Sequence, residues 1–231
     1  MNTQSELTQP EGTYWHFIHG DNCLAHRDGR KVVAGETLKV EGEIATREWG
    51  LHASKNILDA LSHASSPILC LVTLGGKVIH ENGLSVAEER TVLWKYDTWY
   101  MLREYICNVL EDHIDREGRA GYKVDPRCMT ALEVSRRHLH GEATNDELKA
   151  ATDSIWEAKR EAPTGADGWP EPSANDYAAW LVLQIPESSW GYQNPHVTAK
   201  MTRRSECSEV NTRQNEMLTT MLMTEYNKEH H

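Results

Sequence analysis

Apolar and polar positions change rhythm twice between Trp49 and Val78, and this stretch organises the reading of the chain. Gly50-Leu51-His52-Ala53 is a short extended piece. Ser54 follows, a residue whose hydroxyl can cap the first turn of a helix. Ile57, Leu58, Leu61 and Ala64 then recur at helical spacing on one face. Ser65-Ser66-Pro67 stops that helix. Ile68 to Leu74 is a nearly continuous apolar run, too short for a typical helix and suited to a buried strand. Gly75-Gly76 breaks it before Lys77-Val78-Ile79 resumes. The predicted order is strand, helix, buried strand, with His52 at the mouth of the first element.

The same patterns extend outward. Thr13 to Ile18 is aromatic and β-branched and predicts a strand, with a turn at His19-Gly20-Asp21-Asn22. Asp28-Gly29 lies between two strand-like pieces and signals a hairpin; Gly35 offers a second turn. Val40 to Arg47 reads as loop or edge strand. His80 to Leu84 is a predicted turn, and Ser85 to Trp94 carries a further strand through Val92 and Leu93.

Near Tyr96 the period becomes helical. Leu102, Tyr105, Ile106, Val109, Leu110 and Ile114 form one apolar face from Asp97 on, ended by Gly118 and Gly121. Asp125-Pro126 has cap and first-position proline chemistry for a helix running to Leu139 and stopping at Gly141. Thr144 and Glu147 fit a capping box at the start of a helix that continues through Ile155 and Ala158. Ala162 to Pro172 is loop, Ser173 caps a short helix through Ile185, and Pro186 to Pro195 is loop again. A last helix starts near Val197 and carries Met217, Leu218, Met221 and Leu222 as an apolar stripe, read as intramolecular core. The expected class is α+β: a β-rich domain over residues 1–95 and a helical region over 96–231, packed on it as one unit.

Composition narrows the function. The 231 residues suffice for a real core. A formal charge of -11 lacks the basic face that phosphate-backbone binding needs, so general nucleic-acid binding is disfavoured. The five cysteines are odd in number and lack CxxC spacing, and no signal peptide precedes them. They read as free thiols of a reducing compartment. No apolar run approaches the roughly 20 residues that span a bilayer, so no membrane association is expected.

No phosphate loop, GxSxG or HExxH is present. The twelve histidines form no cluster with zinc-type spacing, so no metal is expected. What stands out is His19-Gly20 at a strand end, Gly50-Leu51-His52-Ala53-Ser54 before a helix, and the strand Leu69 to Leu74 after it. In this order they resemble the ADP-ribosyltransferase superfamily. The resemblance implies a split sheet with NAD as cofactor. His19 and Gly20 would hold the nicotinamide ribose, and His52, where the family has tyrosine, would stack on nicotinamide with Ser54 just beyond. Glu88 or Glu89, in AEERTVLW, is the nearest candidate for the glutamate that stabilises the ribosyl cation. Arg47 could contact a pyrophosphate across the same cleft. A carboxylate beside the anomeric carbon would stabilise an oxocarbenium-like state as nicotinamide leaves. The same cleft without a placed glutamate would bind a nucleotide and do nothing to it.

A second resemblance covers nearly the whole chain. RDGRKVVAGETL, WGLHAS, LDAL, EERTVLWKYD and TRQNEMLTTML look like an uncharacterised family of tailed-bacteriophage proteins. It implies a phage accessory protein in the host cytoplasm and no mechanism. Three functions follow: an NAD- or nucleotide-binding, ADP-ribosyltransferase-like protein; a non-enzymatic protein that inhibits or sequesters a host defence factor; and a structural or assembly protein using its helical tail. The sequence assigns no oligomeric state.

Overall fold

The computed structural model describes residues 7–24, 29–121, 123–161 and 208–230. The chain forms two compact units. One runs to Trp99 and resumes from Thr212; the other runs from Tyr100 to Asn211. The class is α+β, with five strands and five helices among the described residues.

In the first unit the strands are β1 (Thr13–Phe17), β2 (Thr37–Lys39), β3 (Leu51–Ser54), β4 (Ile68–Glu81) and β5 (Leu84–Asp97). Their order is β2-β5-β3-β1-β4, every pairing is antiparallel, and β4 also pairs with β5. The pairings β1–β4, β4–β5, β5–β3 and β3–β1 therefore close on themselves. The seams are unequal. β1 holds β4 along its whole length, from Thr13 opposite Thr73 to Phe17 opposite Leu69. It meets β3 at one registered position, Trp15 opposite Ser54.

Local chemistry explains the long β4–β5 hairpin. Asn82-Gly83 makes a two-residue turn with φ of 48° and 79°, the left-handed pair that matches strand twist. The turn expected over His80 to Leu84 thus narrows to its two central residues. The break expected at Gly75-Gly76 is instead a bulge: β4 continues to Glu81, with a register shift between Gly75 and Val78. Gly76 adopts φ +67°, and a Cβ there would lie 2.7 Å from Glu88 Oε2. A side chain is excluded, so the strand bends rather than stops.

One core cluster joins Ile18, Leu51, Ala53, Cys70, Val72 and Val92 with Val32 and Leu38. Trp15 is also fully buried, as are Leu69 and Leu71, which alternate in sequence with Cys70 and Val72 of that cluster. Helix α1 (Ile57–Ser62) buries Ile57, Leu58 and Leu61. Its cap is Asn56, whose side chain accepts from the Leu58 amide at 2.9 Å. Ser54, expected as the cap, is the last residue of β3, two positions too early for its hydroxyl to reach the first free amides.

The last helix, α5 (Ser208–His230), groups from Thr212 onward with the sheet. Asn215 Oδ1 accepts from the Ile57 amide at 3.1 Å, and Glu229 accepts from Trp94 Nε1 at 2.7 Å. Tyr226 meets Trp94 edge-on at 5.5 Å. Leu218 and Leu222 of the apolar stripe are fully buried, with Met223 beside them in sequence. The expected helix start at Val197, the helix Ser173 to Ile185 and the loops around it lie outside the described residues.

In the second unit, α2 (Trp99–Arg119) precedes α3 (Pro126–Leu139) and α4 (Asn145–Glu161). Asp125 caps α3, accepting from the Arg127 amide at 2.9 Å. The Thr144–Glu147 capping box forms in both directions, at 2.8 and 3.2 Å. Arg136 ties α3 to α2 through Glu111 and Asn108. Among the described residues no helix is long and apolar enough to cross a membrane.

Candidate ligand-binding cleft

The single-position seam between β1 and β3 leaves the rest of both strands apart, and a cavity of about 650 Å³ opens there. That volume suits a small organic ligand. Trp15 to His19 line one side and Gly50 to Ser54 the other; Arg47 and Arg90 add charge. Gly50 shapes this wall. Its φ is +128°, and a Cβ would stand 2.3 Å from Val86 Cγ2 and 3.2 Å from Ile44 Cγ2. Only glycine lets β3 start this close to its neighbours.

The residues expected to bind a ligand fall into two groups. His19, Arg47, His52 and Ser54 all line the cavity. His19 stands at the rim, its side chain 56% exposed and 3.8 Å from the Asp21 carboxylate, a contact too solvated to contribute much. His52 is better fixed. Its Nε2 accepts from the Arg47 amide at 3.1 Å, which in the neutral ring puts the proton on Nδ1. Arg47 makes that contact from a left-handed backbone, φ +65°, inside the turn that bridges Ala45 to Trp49. Its side chain is exposed. Ser54 is buried in β3. Gly20 lies next to His19 but is not part of the lining.

Glu88 and Glu89 stand elsewhere. Glu88 folds back over the bulge, where its Oε2 accepts from the Lys77 amide at 2.8 Å. Glu89 pairs with Lys39 of β2 at 2.6 Å. Neither lines the cavity. Among the described residues the one carboxylate that does is Glu48, exposed at the edge of the turn.

Among the residues of this wall that sequence reasoning missed are His16 and Arg90. Period two could have found both: His16 alternates with buried Trp15 and Phe17, and Arg90 shares parity with buried Val92. Arg90 is 1% exposed. Its Nη1 donates to the His52 carbonyl at 2.7 Å, while Nε and Nη2 have no acceptor among the described residues. Burial lowers its pKa to about 10, so it remains charged at neutral pH. Holding a charged group away from water without a counter-ion costs on the order of several kcal/mol. The same charge, after burial itself, holds His16 well below the usual imidazole range, with His52 adding a smaller push. His16 is therefore a neutral ring at pH 7. The neighbouring Cys70 thiol is pushed up to about 11 by burial and stays protonated.

The wall can thus stack rings, donate hydrogen bonds and attract negative charge. It places no carboxylate beside a reacting carbon. Among the described residues, no group of three or more His, Cys, Asp or Glu side chains is arranged to hold a metal ion. Comparison of the chain with protein-family models, curated proteins and solved structures returned no match.

Proposed function

We propose that this protein is a phage accessory protein whose cleft between β1 and β3 binds a nucleotide or dinucleotide of the NAD type and holds it without cleaving it. The observation that carries this reading is the cleft itself: two strands joined at Trp15 and Ser54 part around about 650 Å³, with imidazoles on both edges. The parted strands and the His19, His52 and Ser54 positions support an ADP-ribosyltransferase-like reading of the first unit. Transferase chemistry needs a glutamate at the ribosyl carbon. Glu88 and Glu89 serve the bulge and β2 instead, which favours capture over catalysis. The likeness to tailed-phage proteins supports a role inside an infected bacterium.

Thermal denaturation with NAD, ADP-ribose and AMP tests the proposal. A ligand at ten times its Kd adds about 1.4 kcal/mol of stability, or roughly 3–5 °C for a chain of this size. The His52→Ala variant should lose most of that shift. No shift with any of the three would end the nucleotide reading.

A further inference from the structure

Among the described residues Arg90 stands out as a buried charge that forms no ion pair. It is almost wholly buried and charged, and it is satisfied at one nitrogen of three. The two nitrogens without an acceptor, Nε and Nη2, lie on the same edge of the guanidinium. Their N–H bonds run parallel and form the side-on fork that takes two oxygens of one oxyanion. No carboxylate of the described residues forms an ion pair with it. The surroundings add to the positive potential. Among the described residues the lining carries two arginines, Arg47 and Arg90, against the one carboxylate of Glu48, although the chain as a whole carries a formal charge of -11. Sign inversion in one concave, partly apolar site is the field that draws in an anion.

We propose that Arg90 is the anion receptor of the cleft and holds a phosphate group of the bound nucleotide in a bidentate contact. The proposal rests on the nucleotide reading above and narrows it to phosphorylated ligands. The carbonyl of His52 fixes the guanidinium through Nη1 and leaves the fork for the phosphate. His16 stands beside it, and its ring has no hydrogen-bond partner among the described residues. Nε and Nη2 carry almost no solvent-accessible surface, so a phosphate reaches them only where the cleft wall gives way beside them.

The test compares AMP, inorganic pyrophosphate and adenosine by calorimetry on the full chain, with Arg90→Met and Arg90→Lys alongside. Met keeps the length of the side chain without the charge; Lys keeps the charge without the fork. The expected result is AMP binding at least tenfold tighter than adenosine. Arg90→Met should lose at least thirtyfold for AMP and pyrophosphate with little change for adenosine, and Arg90→Lys about tenfold. If Arg90→Met does not fold, Arg90→Lys is read against the wild type in the same way. Adenosine binding as tightly as AMP, or AMP binding the variants as tightly as the wild type, would overturn the receptor and leave the nucleotide cleft standing. Pyrophosphate binding that depends on Arg90, without binding of any nucleotide, would keep the receptor and remove the nucleotide. Silence from all three ligands removes both.

Discussion

Gly50 and His16 show how much of the cleft hangs on single side chains. At Gly50 the backbone is left-handed and the space for a methyl is already filled by Val86 and Ile44. We expect Gly50→Ala to cost about 2–4 kcal/mol in urea unfolding, from overpacking and backbone strain together; a cost under about 1 kcal/mol would mean that β3 can shift without loss. His16 makes a pH prediction. Its folded pKa lies below the ordinary 6.5, so the unfolded chain binds this proton more readily. The neutral ring's contribution is complete above about pH 6.5 and is lost as pH falls through the lower folded value. His16→Gln should therefore flatten the acid-side loss of stability by up to about 1.4 kcal/mol per pH unit. Equal slopes for both proteins would show that the ring titrates normally. Candidate residues of the cleft were legible in part. His19, Arg47, His52 and Ser54, named through the resemblance to ADP-ribosyltransferases, line the cavity. Arg90 was not named, because Glu88-Glu89-Arg90 reads as an ordinary solvated run until its parity with Val92 is followed inward.

At the level of elements, most predicted pieces formed where their caps and periods placed them. The capping box at Thr144 and the Asp125 cap are side-chain chemistry acting within one turn, so neighbours in sequence suffice to read them. The α1 cap shows the limit: Ser54 and Asn56 are both good caps, and the pairing of Ser54 with Trp15 and Leu84 decides between them. Asn56→Ala should cost about 1 kcal/mol while Ser54→Ala leaves helix content unchanged. Urea unfolding and far-ultraviolet circular dichroism check the pair, and a larger helix loss with Ser54→Ala would contradict the assignment. Glycine punctuation was legible as a position but not as an outcome. Gly75-Gly76 bends β4 instead of ending it, because β5 supplies hydrogen-bond partners on both sides of the bulge.

For the whole molecule, the informative piece is α5. Its stripe was expected to be intramolecular core, and Leu218 and Leu222 are fully buried. Its polar ties run to Ile57 and Trp94 of the first unit, distant in sequence. Leu222→Ala should lower stability by about 2–5 kcal/mol. A loss of less than about 1 kcal/mol, accompanied by a change in oligomeric state on size-exclusion chromatography, would favour the assembly role instead. The grouping of α5 with the sheet could not be read from composition, which simply turns helical near Tyr96 and stays so.

Periodicity, caps and turn residues act over a few positions, and from them the sequence by itself determined the kinds of element and the α+β class, with composition adding a net acidic charge. Tertiary structure alone decided which strand edges meet, and so where β1 and β3 part. It also decided how deep a charge lies: Glu88 and Glu89 reach outward to the bulge and β2, while the next residue, Arg90, points into the cleft. Both depend on how strands pair and bulge against one another, which neighbours in sequence do not fix.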